Sequence, residues 1–488
     1  MNIKVAKQEI SNCIKAYLTK NAKGDYIIPT IRQRPILLMG PPGIGKTAIM
    51  EQVASENNIA LVSYTITHHT RESAVGAPQV VTMHYNKESF PVTTYTMSEI
   101  IAEVYRKMNI TNLKEGILFL DEINCVDESL LPAILQFLQF KTFGTHKVPE
   151  GWMIAVAGNP AEYNQSVKEF DIVTLDRLKR MEIEPDFTVW REYAYKSRIN
   201  SAIISYLYNY PDKFYVVKNT SEEKLFVTAR GWEDMSDMLN AYENLKMEIT
   251  VDFVQQYIQH PDIAQDFINY YYKYVRCIIK NSFSDILAGE NMDKVKTNIA
   301  ELDDEMRNAF MIYLVHSLAE VFYECEYQKY YAKNVVEMAE EVGRLYEKSR
   351  LNYRSDTYSV TEGMRQMLAK QVETNFMSAN EIAAVRNAIK FVDDIALKYA
   401  TGTEEMLYIA EIYREIQMEF EPIETNYQIF LDKTGNILKN VYEFIKENIS
   451  GEEFEKYVKE FSFNCHITKF IRNESTGEYL ELINGKTE

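Results

Sequence analysis

Apolar and polar positions divide the chain into two parts with different patterns. In the first 190 residues, short apolar, β-branched runs alternate with stretches whose apolar positions recur at helical spacing. The β-rich runs cover residues 35–39, 60–64, 116–120 and 153–157. Helical stretches between them include residues 46–56 and 97–108. Because continuous apolar strands that alternate with helices are typical of a buried parallel sheet, this part is predicted to be α/β.

The remainder of the chain has a helical pattern. Between residues 302 and 325, apolar side chains recur at helical spacing. Similar stripes cover residues 384–399, 406–418 and 441–449. Stripes of this kind form the packing seams between helices, so a mostly α-helical region is predicted to follow the α/β part.

Charge is distributed unevenly along the 488 residues. The chain has 53 Lys and Arg against 71 Asp and Glu, a formal net charge of −18. Residues 1–190 hold 19 basic and 21 acidic side chains, a net charge of −2, which leaves 34 and 50, net −16, for residues 191–488. The length predicts two to four domains. Because phosphate affinity depends mainly on Lys and Arg, the acidic second part argues against a non-specific nucleic-acid binder.

The cysteines and the apolar runs predict a cytoplasmic protein. The five cysteines are far apart and show no paired spacing, which favours reduced thiols in a cytosol-like compartment. No stretch approaches 18 uninterrupted apolar residues, so no membrane segment is expected. Residues 1–10 are mixed polar and lack the apolar core of a signal peptide.

A phosphate-binding loop is predicted between the first apolar strand and the helix that follows it. Residues 40–47 have the sequence GPPGIGKT and fit the pattern GxxxxGK[ST]. Glycines allow backbone N–H groups to wrap a polyphosphate, while Lys46 would bind the β- and γ-phosphates and Thr47 a Mg²⁺ ion. The residues predicted to bind the nucleotide are Gly40, Pro41, Pro42, Gly43, Ile44, Gly45, Lys46, Thr47 and Ala48.

Two adjacent carboxylates follow the third apolar run. Residues 117–122 have the sequence ILFLDE, in which a buried strand ends at Asp121 and Glu122. About 75 residues after a phosphate loop, this arrangement predicts a nucleoside triphosphatase. Asp121 would belong to the magnesium site, and Glu122 would polarise the attacking water.

Three later segments make the chain resemble the AAA+ ATPases. Asn159 follows the next strand, where this family has a polar residue that orients the attacking water. The segment LDRL at 175–178 resembles the arginine-finger segment, so the resemblance implies that Arg177 enters the neighbouring subunit's site. Arg180 is a second candidate finger. The segment TARGW at 228–232 resembles the lid motif in which an arginine, here Arg230, contacts the γ-phosphate.

Within the AAA+ class the chain is most similar to the MoxR branch. The sequence DEIN at 121–124 is typical of that branch. Residues 77–96 have β-rich arms around a polar turn at 85–88, similar to the hairpin this branch inserts into its second helix, and residues 143–150 resemble the hairpin before the Asn-bearing strand. Three positions depart from the family pattern: Leu178 replaces Phe, Ala229 replaces Pro, and Cys125 often corresponds to Arg.

The resemblance implies an α/β P-loop NTPase core of the AAA+ class with a helical lid, followed by a mostly α-helical C-terminal region. We predict the core at 1–190 with both hairpins, the lid at 191–275, and a helical domain of unassigned role at 276–488. The expected cofactors are ATP and Mg²⁺. The expected assembly is a ring of identical subunits, a hexamer.

Three functions are compatible with these motifs. The first is an ATP-driven remodeller that assembles or activates a protein client, with a von Willebrand A-domain protein as partner, as the resemblance implies. The second is a nucleic-acid motor or loader of the AAA+ class. Lys87, His146 and Lys147 are the only basic residues near the hairpin tips, so we expect a protein client and no nucleic acid. The third, a nucleotide-gated switch with little turnover, is disfavoured by the intact Asp121 and Glu122.

Overall fold

The computed structural model divides the chain into two compact units. It describes residues 1–68, 71–85, 87–163, 170–219, 223–280, 283–352, 358–374, 377–398, 405–449, 451–474 and 479–484. The first unit comprises Met1–Asp186 with residues 370–376, and the second comprises Phe187–Ala369 with Met377–Glu488. The boundaries at 190 and 275 expected from the sequence stay predictions.

Strands are concentrated in the first unit and helices in the second. In chain order the strands are β1 (Ile36–Met39), β2 (Ala60–Thr65), β3 (Pro78–Tyr85), β4 (Glu88–Tyr95), β5 (Gly116–Asp121), β6 (Thr142–Phe143), β7 (His146–Lys147), β8 (Trp152–Gly158), β9 (Lys179–Glu182), β10 (Val216–Asn219) and β11 (Lys224–Val227). The helices are α1 (Ile3–Leu18), α2 (Lys46–Glu56), α3 (Arg71–Val75), α4 (Glu99–Thr111), α5 (Leu131–Phe140), α6 (Ile172–Leu175), α7 (Phe187–Lys196), α8 (Ser201–Asn209), α9 (Ala229–Leu245), α10 (Val251–Gln255), α11 (Pro261–Lys280), α12 (Phe283–Ala288), α13 (Met292–Ala300), α14 (Asp304–Asn352), α15 (Tyr358–Thr374), α16 (Ala379–Lys398), α17 (Glu405–Asn448), α18 (Glu452–Phe463), α19 (Cys465–Glu474) and α20 (Glu481–Asn484).

A five-stranded parallel sheet forms the centre of the first unit. Its strand order is β2-β5-β8-β1-β9, and every neighbouring pair runs parallel. Alternate side chains fill two separate cores, with Leu37 and Val156 on one face and Ile36 and Ala155 on the other. The predicted α/β core followed by a mostly helical region is confirmed.

Strand β8 lies between β1 and β5, so the segments that follow these three strands meet at one edge of the sheet. All seven residues of β8 are buried, as expected for a strand covered on both faces. The order places Asn159, directly after β8, between the loop that follows β1 and the carboxylates at the end of β5. The sequence order of these motifs therefore differs from their spatial order.

Two short antiparallel hairpins extend the first unit. Strand β3 pairs with β4 from Pro78↔Tyr95 to Tyr85↔Glu88, and β6 pairs with β7. Asn86, predicted in the turn of the first hairpin, lies outside the described residues. The hairpins touch, because the ring Nε2 of His146 lies 3.1 Å from the carbonyl oxygen of Tyr95.

The second unit is a helical assembly around its own apolar core. Its largest fully buried side chains include Tyr206, Trp232, Phe267, Phe310 and Phe444. Helix α17 contains the apolar stripe at 406–418 and nearly all of the stripe at 441–449, together with Pro422. Among the described residues, no helix is long and apolar enough to cross a membrane.

Candidate nucleotide-binding site

The loop between β1 and α2 has the conformation of a backbone cradle. Gly43 and Gly45 have φ angles of +72° and +88°, which residues with side chains rarely adopt. A Cβ atom on Gly45 would meet nothing within 4 Å, so its backbone conformation, rather than lack of space, favours glycine. At Gly40 lack of space favours glycine, because a Cβ atom would lie 2.7 Å from the carbonyl oxygen of Ile183. An open, glycine-lined loop at a helix N-terminus fits a phosphate group.

Lys46 connects this loop to the neighbouring strand. Its Nζ donates hydrogen bonds to the carbonyl oxygens of Gly40 and Pro41 and to Oδ1 of Asn159, each at 2.8 Å. The residue is only 8% exposed, and a buried ammonium requires such partners. The sequence-predicted Lys46 and Asn159, 113 residues apart, are therefore in direct contact.

Thr47 and Asp121 meet at the same edge of the sheet. The Thr47 hydroxyl donates to Oδ2 of Asp121 at 2.7 Å, while Oδ1 of Asp121 accepts the backbone N–H of Glu122 at 2.9 Å. A hydroxyl beside a carboxylate is a donor set that suits Mg²⁺, which binds few protein ligands and completes its shell with water and substrate phosphates. The residues present therefore fit the predicted metal.

Glu122 has an unusual backbone. Its φ angle is +57°, although it is not glycine, and it precedes the 3₁₀ turn Ile123–Cys125. A left-handed conformation at such a residue costs about 1–3 kcal/mol and is concentrated at functional sites. The side chain is held by Thr67, whose hydroxyl donates to Oε2 at 2.9 Å.

The sequence analysis did not identify Thr67. Strands β2 and β5 pair in parallel with Thr65 opposite Asp121, so Thr67 and Glu122 both lie just beyond their strand ends. A polar residue after β2 was therefore the available signal. Recognising Thr67 from this signal would have required knowing that β2 and β5 are neighbouring strands, and no local sequence pattern shows that.

Asn124 fixes the position of Asn159. Its Nδ2 donates to the carbonyl oxygen of Asn159 at 2.8 Å, and its Oδ1 accepts the Asn159 N–H at 3.3 Å. A Cβ atom on Gly158 would lie 2.5 Å from Oδ1 of Asn124, so glycine is required for this approach. The Asn159 amide is thereby held by the chain segment that carries the carboxylates.

Arg177 lies on an exposed turn of the first unit, after α6. Its Nη1 donates to Oε1 of Gln139 at 2.7 Å. The next residue, Leu178, is 4% exposed and belongs to the apolar core, so the departure from Phe retains a buried anchor beside the arginine. The structure thus presents the predicted finger at a surface.

Arg180 borders the phosphate loop of its own chain. Strand β9 pairs with β1, and Arg180 lines a cleft of about 480 Å³ together with Gly40 and Asn159. An ion pair with Glu182, at 2.6 Å, holds its guanidinium. Its proposed use as a second finger stays a prediction.

Arg230 belongs to the second unit, in the first turn of α9. The hydroxyl of Thr228 caps this helix by accepting the N–H of Gly231 at 3.1 Å. A Cβ atom on Gly231 would approach the Tyr257 carbonyl oxygen to 2.8 Å, and Trp232 is fully buried. The capped start and the buried tryptophan fix the helical segment that carries the exposed Arg230.

Lys141 is a buried cation at the end of α5. It is 4% exposed, and its Nζ lies 3.4 Å from Oε1 of Gln33, a weak hydrogen bond. Burial lowers the pKa of Lys141 to about 8 from an ordinary value of 10.5. Between these values the unfolded chain holds a proton that the folded chain has released, so the free energy of unfolding rises with pH across this window.

Replacing Lys141 with methionine is therefore expected to stabilise the first unit by ~1–3 kcal/mol at pH 7 and to flatten the rise in stability above pH 8. Thermal unfolding at several pH values measures both effects. The exposed Lys147→Met serves as the control and should change neither. A Lys141→Met variant that unfolds at lower temperature than wild type at pH 7 would contradict the explanation.

A family model matches the segment that carries much of this site. Residues 36–142, about a fifth of the chain, match the family model described as "ATPase family associated with various cellular activities (AAA)". The chain has an AAA ATPase domain. The matched family is a family of ATPases. The matched residues include the phosphate loop and both carboxylates.

Other comparisons add little to the AAA assignment. No curated protein matches the sequence. Among solved structures, a candidate ATPase from Cytophaga hutchinsonii is 14% identical with a TM-score of 0.22, and the match covers 37% of this chain. The match spans 46% of that protein, less than half of its length. A likeness of this size carries no argument about function.

Proposed function

We propose that Lys46, Thr47, Asp121, Glu122 and Asn159 form the catalytic site of the AAA domain. The observation that carries this proposal is the pair of contacts that joins three strands, Lys46 to Asn159 at 2.8 Å and Thr47 to Asp121 at 2.7 Å. Lys46 would hold the β- and γ-phosphates in the loop of residues 40–48. Glu122 would accept the proton of the attacking water, and Asn159 would orient that water.

Magnesium is the metal that these residues would hold. Thr47 and Asp121 would contribute the protein side of the site. When bound, the ion neutralises charge on the phosphate oxygens.

We further propose that subunits assemble in a ring, with six subunits as the expected number. Arg177 would act on the nucleotide of the neighbouring subunit, and its exposed position supports this proposal. Arg230 would contact the γ-phosphate, in its own subunit or the next.

The proposed role of the assembly is MoxR-like remodelling of a protein client. ATP hydrolysis would drive assembly or activation of other proteins, with a von Willebrand A-domain protein as partner. The low positive charge of the two hairpins favours a protein client over a nucleic acid. Lys87 is followed by Glu88, and the ring of His146 is engaged by Tyr95, so Lys147 remains beside these hairpins without a basic cluster that would attract phosphates.

A nucleic-acid motor is the second candidate, and its test also tests the client proposal. Because neither hairpin offers a basic stripe, we expect no stimulation of ATP hydrolysis by single-stranded or duplex DNA at physiological salt. Phosphate release by the purified chain, with DNA or with a permanently unfolded protein added, measures the difference. A several-fold increase with DNA, and none with unfolded protein, would favour the nucleic-acid function.

A further inference from the structure

The β3–β4 hairpin has two outer edges that differ. Thr96 donates its backbone N–H to the carbonyl oxygen of Ala77 at 2.9 Å, which makes this pair a hydrogen-bonded one. Opposite residues in an antiparallel ladder alternate between bonded and non-bonded pairs. The pairs Val80↔Thr93 and Thr82↔Pro91 are therefore non-bonded, and their backbone groups point away from the hairpin.

The outer edge of β4 is closed in two ways. Pro91 lacks an N–H and occupies an outward position, where it blunts the edge without breaking the ladder. At the base of the hairpin, the outward carbonyl oxygen of Tyr95 is engaged by His146 at 3.1 Å. Both features agree with the alternation set by Thr96.

The outer edge of β3 has such protection only at its first residue, Pro78. Val80, Thr82 and His84 direct their backbone groups outward, and no other strand pairs with this edge in the part of the chain that the structure describes. Val80 is 69% exposed. Natural edge strands are commonly protected by charged residues or proline. Pro78–Tyr85 contains no Lys, Arg, Asp or Glu, and its proline is at the first position, whereas charged residues make up 25% of the chain.

We infer that the outer edge of β3 binds its protein client by strand addition, pairing with an extended, uncharged, apolar segment. This inference rests on the proposed protein client and specifies how that client is recognised. Main-chain hydrogen bonds to an exposed strand supply affinity with little dependence on sequence. The neutral strand matches a neutral partner, since a charged side chain beside Val80 would lose hydration without gaining an opposite charge.

Two fluorescein-labelled peptides test the pairing in the presence of ATP. One is an alternating Val/Thr octapeptide, and the other has the same sequence with every backbone amide nitrogen methylated, because successive N–H groups point to opposite edges of a strand. Methylation keeps the apolar side chains and removes the donors that strand addition requires. Fluorescence anisotropy with the full chain should show at least tenfold weaker binding of the methylated peptide. Equal binding of both peptides would show adhesion through side chains and overturn the inference.

Matched substitutions place the contact on one edge. Thr82→Pro removes an outward N–H from β3, at the position directly opposite the native Pro91, so the hairpin should tolerate it. Thr93→Pro does the same to the closed β4 edge. We expect Thr82→Pro to weaken octapeptide binding at least tenfold and Thr93→Pro to leave it unchanged. Val80→Lys and Thr93→Lys, on one cross-strand pair, should give the same contrast.

Controls distinguish failure of this inference from failure of the client proposal. ATP hydrolysis without peptide should be equal in all four variants and wild type, which shows an intact domain. If reduced, carboxymethylated lactalbumin binds wild type and Thr82→Pro alike, strand addition is wrong and the client proposal stands. If neither the octapeptide nor the lactalbumin binds wild type, both strand addition and the client proposal are wrong. If Val80→Lys instead dissociates the oligomer, the edge pairs with a second copy of the chain and the inference is overturned.

Discussion

Replacing Arg177 with alanine is expected to leave ATP binding unchanged and to slow hydrolysis by ~10³–10⁵-fold, the effect of an arginine supplied to a neighbouring active site. In its own subunit the guanidinium lies on an exposed turn and contacts Gln139, so its loss should not disturb the phosphate loop. Phosphate release and fluorescent-nucleotide binding measure the two quantities. Arg34→Ala is the control, because this exposed arginine lies 4.0 Å from Asp176, the residue before Arg177.

Mixing variants tests whether Arg177 acts between subunits. A Glu122→Gln subunit is blocked in its own site but still offers an intact Arg177. Mixing Glu122→Gln subunits with Arg177→Ala subunits should restore part of the turnover. The restored sites are those in which the Arg177→Ala subunit supplies Glu122 and its Glu122→Gln neighbour supplies Arg177. No recovery, with subunit exchange demonstrated, would exclude action between subunits. A purely structural role would instead appear as a lower melting temperature of Arg177→Ala.

Glu122→Gln is expected to bind ATP normally and to hydrolyse it ~10²–10⁴-fold more slowly. The amide keeps the size of the side chain and can still contact the Thr67 hydroxyl, which lies 2.9 Å away, but it cannot accept a proton from water. Glu128→Gln, at an exposed position in the following loop, should retain full turnover. A Glu122→Gln variant within a few-fold of wild type would show that another group accepts the proton.

Local patterns were sufficient to predict the elements that carry the site. The apolar run before Gly40, the glycine spacing and the helix that begins at Lys46 are all short-range features, and each is present in the structure. The strand that ends at Asp121 was similarly marked by its continuous apolar residues. Such strands are recognisable because both faces are buried.

Contacts between distant segments could not be predicted in the same way. The contact of Thr67 with Glu122 depends on which strands are neighbours, and that of Gln139 with Arg177 depends on how α5 lies beneath an exposed turn. Strand β9 was missed because Lys179–Glu182 is mostly charged, although pairing with β1 makes it a strand. In these cases long-range packing outweighed local preference.

The most direct test of the account compares wild type, Lys46→Ala and Glu122→Gln in one experiment, with nucleotide binding and phosphate release measured on the same samples. Wild type should bind ATP and release phosphate. Lys46→Ala should lose binding, because the ammonium that joins the loop to Asn159 is absent, whereas Glu122→Gln should bind and release almost no phosphate. Equal phosphate release by all three proteins would contradict the assignment of this site as the place where ATP is hydrolysed.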